Sequence, residues 1–142
     1  MKVLIKRIDK SLPLPRYETA GAVGFDLFCR RGATVKPKEV KLIPANIIVK
    51  TPKGYMLLLA LRSSTPLKRG LMLGNGVAIV DQDYSGPEDE LKIQVYNFTN
   101  QKVQIKKGER LAQGIFVKVG KASWQETAKI DSRSRGGFGT TG

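Results

Sequence analysis

The chain of 142 residues contains no histidine and only one cysteine, Cys29. Without histidine it cannot form zinc sites with imidazole ligands, Ser-His or Cys-His nucleophilic pairs, or imidazole general bases. One cysteine cannot form an internal disulfide, and a free thiol suits a reducing compartment, so we expect a cytoplasmic protein. The chemistry that remains depends on carboxylates, hydroxyls, backbone amides, Lys and Arg, or a metal bound by oxygen atoms.

Long apolar stretches and acidic residues are also scarce. The longest apolar run, residues 56–61, is far too short to span a membrane, and the N-terminal segment does not resemble a signal peptide, so we expect no membrane association. The chain has 12 Asp and Glu against 25 Lys and Arg, a net charge of +13. This balance predicts a polyanionic partner, such as nucleotide phosphates or nucleic acid, although a soluble lysine-rich surface explains it equally well.

The positive charge is concentrated in the N-terminal half of the chain. Residues 1–71 carry fifteen basic residues against four acids, or +11, whereas residues 72–142 carry ten against eight, or +2. Five of the twelve acids lie between Asp81 and Glu90. Most of the basic excess therefore lies in the first half of the chain.

Apolar residues alternate with polar ones along most of the chain, which is typical of half-buried strands. Turn signals rich in Pro and Gly separate the strand candidates, which are residues 2–8, 40–43, 46–50, 55–61, 91–96, 103–105 and 115–119. One short helix is predicted over residues 64–70, with a hydroxyl cap, a proline in its first turn and a glycine stop. The pattern predicts an all-β sandwich or barrel. It forms one domain, residues 1–130, followed by a flexible glycine-rich segment, residues 131–142.

Five segments contain residue types suited to phosphate or water chemistry. Asp81 follows an apolar strand, and a carboxylate held at a strand end can activate a water. The guanidinium of Arg62 matches phosphate, and the tail glycines allow backbone amides to approach an anion. Each segment alone is also explained as a turn, a cap, a strand or a nucleic-acid-binding tail. They are Gly24-Phe25-Asp26-Leu27, Arg62-Ser63-Ser64, Asn75 through Tyr84, Gly108 through Gln113, and Arg133 with Gly136-Gly137-Phe138-Gly139.

In this order the five segments closely resemble the five motifs of the trimeric deoxyuridine triphosphate nucleotidohydrolases, the dUTPases. The resemblance spans Ala20 to Gly142. It implies a distorted jelly-roll-like β-fold and a homotrimer whose active sites are shared between subunits, with residues 131–142 as a lid. It also implies hydrolysis of dUTP to dUMP and pyrophosphate, which keeps uracil out of DNA and supplies dUMP for dTMP synthesis.

The same resemblance implies a role for each motif residue. Asp81 is the general base that activates the water attacking the α-phosphorus, and Tyr84 packs on the deoxyribose and excludes a 2′-hydroxyl. Mg²⁺ is bound mainly by the triphosphate and waters, with Asp26 as an outer-shell partner through water. The remaining substrate-binding residues are Arg62, Ser63, Ser64, Asn75, Gly76, Val77, Gln113, Arg133, Gly136, Gly137, Phe138 and Gly139.

The chain departs from the family pattern at a few positions. Ser134 follows Arg133 where glycine is usual, Arg135 could share the role of Arg133, and Ser64 stands where glycine is frequent. Residues 85–91 form a longer acidic stretch, which predicts a bulge at the start of a strand. Two alternatives remain: a dCTP deaminase-like relative, and a basic nucleic-acid-binding or regulatory module on the same fold.

Overall fold

The computed structural model describes residues 1–131 and 133–139, and strands dominate them. The elements follow one another with short turns, and a single short helix, α1, occurs among the described residues between β6 and β7. Their bounds are β1 Leu4–Arg7, β2 Phe25–Phe28, β3 Ala33–Val35, β4 Val40–Pro44, β5 Ile47–Lys50, β6 Tyr55–Leu61, α1 Ser64–Arg69, β7 Leu71–Leu73, β8 Ala78–Val80, β9 Lys92–Asn97, β10 Val103–Ile105 and β11 Arg110–Lys118. The predicted all-β class with one short helix is confirmed.

The strands form four antiparallel sheets around one core. The largest has the order β2-β11-β6-β8, a second has the order β4-β9-β7, and β1-β5 and β3-β10 are two-stranded. Most partners are distant in sequence, as expected of a jelly-roll-like fold, so non-local pairing places the functional side chains. The core is filled by fully buried aliphatic side chains, including Leu27, Ile43, Leu57, Leu59, Leu71, Ile93 and Leu111.

Most of the predicted strands are present. The alternating pattern located β1, β4, β5, β6, β9 and β10 to within two residues at each end, whereas β11 begins five residues before its predicted start. β2, β3 and β7 were not among the predicted strands, and length alone is not the reason, because β10 also has three residues and was located. In β7, Leu71-Met72-Leu73 is apolar throughout and shows no alternation. Among the described residues, no helix has the length and apolar character needed to cross a membrane.

Cys29 is a core residue rather than a reactive thiol. It lies directly after β2 and is fully buried, and its backbone N–H donates to the Glu109 carbonyl at 2.8 Å. Burial, aided by the negative charge of Glu109, raises the pKa of the Cys29 thiol to about 12. The thiol is therefore protonated at neutral pH, and the structure gives it a packing role only.

Candidate active site

Asp26 is held between two arginines at one end of the largest sheet. It lies on β2, is 7% exposed, and forms ion pairs with Arg62 (Nε to Oδ1, 3.1 Å) and with Arg110 (Nη1 to Oδ2, 2.9 Å). Arg62 follows β6 and Arg110 begins β11, so strand pairing brings the three together. Arg110 Nη1 also contacts Glu18 Oε1 at 3.1 Å, so two carboxylates accompany the two guanidinium groups. The Arg62 side chain is 35% exposed and shares its carboxylate with Arg110, so it can still bind an anionic ligand.

Gln113 lies in the same part of the sheet. On β11 it pairs with Asp26 of β2 on one side and with Ala60 of β6 on the other, and its Nε2 donates to the Leu61 carbonyl at 3.4 Å. The lack of a side chain at Gly24 leaves room for the Gln113 side chain, because a Cβ at residue 24 would lie only 2.4 Å from Gln113 Oε1. The first, second and fourth motifs therefore converge, as the resemblance implies.

The predicted hydroxyl cap of α1 is wrong, although the helix itself is present. Ser63 stands at the cap position with helical dihedrals (φ −52°, ψ −33°) and makes no side-chain capping hydrogen bond. The turn is anchored instead by Thr65, which is buried and donates from Oγ1 to the Leu111 carbonyl at 2.7 Å. Gly70 ends the helix in the left-handed region (φ 63°), as predicted. Ser63, which is exposed, and Ser64 follow Arg62 directly.

The third motif forms the β7–β8 loop, strand β8 and the turn after it. β7 pairs with β9 and β8 pairs with β6, so this loop joins two different sheets. Asn75, Gly76 and Val77 form the exposed part of the loop, with Gly76 in the left-handed region (φ 69°). Asp81 follows β8 and is exposed. The neighbouring Gln82 ties this turn to β6, because its Nε2 donates to the Tyr55 carbonyl at 2.8 Å.

Tyr84 is positioned by the acidic stretch. Its ring is 36% exposed, and its Oη donates to the Glu90 carbonyl at 3.2 Å. The Glu90 side chain is buried, accepts two hydrogen bonds from Arg30 at 2.8 and 2.9 Å, and accepts from the Asn46 backbone N–H at 2.9 Å. The acidic stretch therefore includes a carboxylate that pairs with Arg30, and β9 begins two residues after Glu90. The bulge in residues 85–91 stays a prediction.

Arg30, Glu90 and Arg110 are the residues near the site that the sequence did not single out for a role. Arg110 lies inside the fourth motif, yet nothing local shows that it meets Asp26, which is 84 residues away. Arg30 and Glu90 are 60 residues apart. Only the pairing of distant strands reveals these contacts, so a single sequence contains no signal for them.

Asp81 and Arg62 lie at opposite ends of β6. Val80 pairs with Leu57, so Asp81 lies beyond it beside Met56, and both line a cavity of about 480 Å³. Arg62 follows the last residue of the same strand. The six steps along the chain from Met56 to Arg62 span roughly 20 Å at about 3.3 Å per residue. One copy of the chain therefore brings together the first, second and fourth motifs but leaves Asp81 apart from them.

The C-terminal segment leaves the sheets after β11. Trp124 and Ile130 are 94% and 76% exposed, and Phe138 is fully exposed. Arg133, Gly136 and Gly139 are also exposed, and Gly137 is half-buried. Gly136, Phe138 and Gly139 have left-handed backbones, with φ of 80°, 51° and 87°. Ser132 and residues 140–142 of the predicted lid lie outside the described residues.

The described residues do not surround a metal with protein ligands. No group of three or more Cys, Asp or Glu side chains suited to a metal ion occurs among them. Both oxygens of Asp26 face guanidinium groups. Asp26 in this arrangement is not suited to bind a cation directly. Its role as an outer-shell partner of Mg²⁺ through water stays a prediction.

Comparison with known sequences agrees with this arrangement. A sequence profile of the dUTPase family matches residues 10–142. Among curated proteins, the deoxyuridine 5′-triphosphate nucleotidohydrolase of Hydrogenobaculum sp. is 38% identical over all of this chain and 99% of its own length. That of Finegoldia magna is 39% identical over 97% of this chain and 98% of its own length.

The solved structures that resemble this chain are also dUTPases. The crystal structure of a dUTPase from Streptococcus mutans is 31% identical and superposes with a TM-score of 0.77, covering 84% of this chain and 98% of its own. The dUTPase of Staphylococcus bacteriophage 80alpha with dUPNHPP is 23% identical and shares the fold, with a TM-score of 0.87 over 99% and 98% of the two chains. With five motifs in order, a profile match over residues 10–142 and the common fold, the chain belongs to the dUTPase family.

Proposed function

We propose that this chain hydrolyses dUTP to dUMP and pyrophosphate at sites shared between three subunits, with Asp81 as the general base. Membership of the family makes the chain a dUTP-hydrolysing enzyme. The proposal adds how the reaction proceeds, which residues take part in it, and that three subunits share each site. In cells, the reaction would limit uracil in DNA and supply dUMP for dTMP synthesis in the cytoplasm.

The separation of Asp81 from Arg62 is the observation that carries the proposal. A general base must lie within hydrogen-bond reach of the water that it activates, and the residues that bind the triphosphate must be close to the same α-phosphorus. The two ends of β6 are too far apart for Asp81 and Arg62 of one chain to reach the same α-phosphorus. A trimer in which Asp81 of one copy faces Arg62 of another satisfies both requirements, and closed symmetric rings make such sharing natural.

The arginine end of the sheet is suited to the phosphates. Arg62 and Gln113 supply donors, Ser63 and Ser64 add hydroxyls and backbone amides, and Asp26 orients the Arg62 guanidinium. Asp26 contacts Arg62 through one oxygen only, and the Arg62 side chain stays 35% exposed, so its guanidinium can still meet a phosphate. This pre-organisation lowers the reorganisation needed as charge builds on the phosphates.

The β7–β8 loop and Tyr84 are suited to the nucleoside. The backbone of Asn75, Gly76 and Val77, with the Asn75 amide, can read the polar edge of uracil. Tyr84 is held through its Oη by the Glu90 carbonyl, so the ring has a defined position from which to exclude a 2′-hydroxyl. A site built to pair with uracil leaves polar groups unpaired when cytosine enters, and this penalises dCTP.

Asp81 takes the proton of the attacking water. Its turn is anchored by Gln82 on the Tyr55 carbonyl, which limits the positions that the carboxylate can reach. Water adds to the α-phosphorus, its proton passes to the Asp81 carboxylate, and the bond to the bridging oxygen breaks, releasing pyrophosphate. Mg²⁺, when bound with the triphosphate, would neutralise phosphate charge.

The lid would complete the site. Arg133 would neutralise terminal phosphate charge, Phe138 would stack on uracil, and the amides of Gly136, Gly137 and Gly139 would surround the phosphate chain. The exposure of Phe138 supports this role, because an unpacked ring gains contact area only when a ligand or a neighbouring copy covers it.

Pyrophosphate release from dUTP, with Asp81→Asn compared with Asp83→Asn, tests the proposal. Loss of the base should lower kcat by about 10²–10⁴-fold. Asp83 is an exposed acid two residues away, so its variant should retain most of the activity while matching the change in charge. Full activity of Asp81→Asn, or equal losses in the two variants, would remove Asp81 from the mechanism.

Substrate controls test the specificity. UTP should be hydrolysed at least about a hundredfold less efficiently than dUTP if Tyr84 excludes the 2′-hydroxyl, because the added atom clashes within a defined pocket. Equal turnover of UTP would contradict the role of Tyr84. Release of ammonia from dCTP would instead support the deaminase alternative.

A further inference from the structure

The two-stranded sheet β3-β10 stands apart from the catalytic elements. Its register pairs Val103 with Val35, Gln104 with Thr34 and Ile105 with Ala33. Val35 and Ile105 are buried in the core. Thr34 and Gln104 point the other way and are joined by a hydrogen bond of 2.9 Å from Thr34 Oγ1 to Gln104 Oε1. The sheet therefore presents a short polar ribbon to solvent.

Basic residues flank this ribbon at both ends. Lys36 and Lys102 each lie one residue beyond the Val35–Val103 pair, so they face each other across the strands. At the other end, Lys106 follows β10 while Arg31 precedes β3, with only Gly32 between Arg31 and the strand. Like charges opposite one another destabilise a sheet. The ribbon therefore keeps a charge arrangement that does not serve its own folding.

The turn after β3 adds a further cation. Lys38 has a left-handed backbone (φ 60°), a conformation that favours glycine, and its Nζ donates to the Phe98 carbonyl at 2.6 Å. A carbonyl orients the ammonium group but does not neutralise it. We use the name basic ribbon for β3-β10 with its five exposed cations, which are Arg31, Lys36, Lys38, Lys102 and Lys106.

The acidic residues near the basic ribbon form ion pairs with basic residues outside it. Glu39 faces Lys41 at 3.5 Å, Glu109 faces Arg69 at 3.0 Å, and Asp9 faces Lys107 at 2.6 Å. Within residues 1–131 and 133–139, none of the five cations of the basic ribbon forms an ion pair. Two carboxylates are nevertheless close, because Glu39 and Glu109 accept from the backbone N–H groups of Lys36 and Lys106 at 2.6 and 2.9 Å. Each of these acids also pairs with another base, so the basic ribbon keeps a positive excess, which creates a local field that attracts a polyanion.

The dimensions of the basic ribbon favour a duplex over a single phosphate. Lys102 and Lys106 are four residues apart and Arg31 and Lys36 five, or roughly 13 and 17 Å at about 3.3 Å per residue. The major groove of B-DNA is about 12 Å wide, admits a two-stranded β-ribbon, and has a phosphate strand on each side. Cations at both ends of a ribbon in such a groove would face the two backbones.

We infer that the basic ribbon binds double-stranded nucleic acid through its phosphate backbone, without sequence preference. The triphosphate site does not use these charges, because its arginines, Arg62 and Arg110, are in a different sheet and are held by Asp26. Duplex binding is therefore separable from dUTP hydrolysis. It also gives a role to part of the basic surplus that the substrate does not need.

The test measures binding of the full-length protein to a fluorescein-labelled 20-bp DNA duplex by anisotropy between 50 and 200 mM salt. Five phosphate contacts predict a slope of log K against log salt of about −4.5, a several-hundredfold loss of affinity over this range. In the triple variant K36Q/K102Q/K106Q the slope should fall to about −2. Its dUTP hydrolysis should equal that of the unmodified protein, which also reports that the fold is intact.

A matched triple variant, K2Q/K53Q/K92Q, controls for net charge. These three lysines are exposed and lie outside the basic ribbon, so this variant should bind the duplex nearly as tightly as the unmodified protein. Equal weakening in both triple variants would overturn the inference, because it would show a diffuse charge effect. Tighter binding to single-stranded DNA of the same length, or to phosphatidylglycerol vesicles, would also overturn it by assigning the surface to a different partner.

Discussion

Glu90 connects three parts of the molecule through one buried carboxylate and its carbonyl. Its side chain binds Arg30 and the backbone of Asn46, and its carbonyl accepts from Tyr84. The residue touches no part of the proposed substrate site directly. Its effect on substrate selection comes through the ring of Tyr84, so mutations at residue 90 should be interpreted first as changes in stability.

We predict that Glu90→Gln lowers the free energy of unfolding by about 2 kcal/mol, because the half-buried Arg30 then loses its charged partner. Urea denaturation of the two proteins measures the difference. Glu88→Gln is the matched control, since Glu88 is exposed, and it should change stability by no more than about 0.5 kcal/mol. Similar losses in the two variants would show that the ion pair with Arg30 contributes little.

The sequence predicted which residue types form the site better than it predicted their contacts. Asp26, Arg62 and Gln113 were identified by the motifs in which they occur, and the structure places them side by side. The partner of Asp26 on β11, Arg110, was not predicted, since it depends on pairing between strands 84 residues apart. Periodicity within a strand contains no information about which other strand will lie beside it.

At the scale of elements, length alone did not decide what could be predicted. β6, with seven residues, β9, with six, and β10, with only three, were all located, whereas β3 and β7, with three residues each, were not. The cap of α1 could not be inferred from its composition. A serine is present at the right place, but Ser63 has helical dihedrals, and the turn is anchored by Thr65 instead.

The C-terminal segment gives a prediction at this scale. A protein ending at Asp131 should lose about a hundredfold or more in kcat/KM for dUTP, because Arg133 and Phe138 no longer close the site. Its melting temperature should change little, since apart from Gly137 the described residues after 131 are exposed. Turnover and thermal unfolding are measured on the same preparation. Unchanged turnover would mean that this segment takes no part in catalysis.

At the scale of the whole molecule, composition indicated a phosphate ligand and the ordered motifs indicated which one. The count of +13 could not show where the charges lie. In the structure, some of these charges belong to arginines that Asp26 holds, some to lysines paired with acids, and five to the basic ribbon. Composition also could not predict a site shared between subunits, which the distance along β6 indicates.

Subunit complementation tests the shared site. Asp81→Asn and Arg62→Gln chains are each expected to be inactive alone. When the two are co-expressed in equal amounts, about a quarter of the sites in random trimers should combine an intact Asp81 from one copy with an intact Arg62 from another. Pyrophosphate release from the mixture should recover to about that fraction of the unmodified rate.

Native mass spectrometry of the same mixture provides the control, because it shows whether mixed trimers have formed. Absence of activity in confirmed mixed trimers would place Asp81 and Arg62 of one chain in the same site. The proposal of sharing would then be wrong, while dUTP hydrolysis by the unmodified protein would be unaffected.

The length of β6 also has a consequence for concentration. With the base at one end of the strand and the phosphate-binding arginine at the other, a solitary copy would hold two half-sites and complete neither. Specific activity would then report the fraction of chains that are assembled rather than the total amount of protein. Dilution would act as an inhibitor, and a cell that makes few copies would switch off turnover without any regulatory ligand.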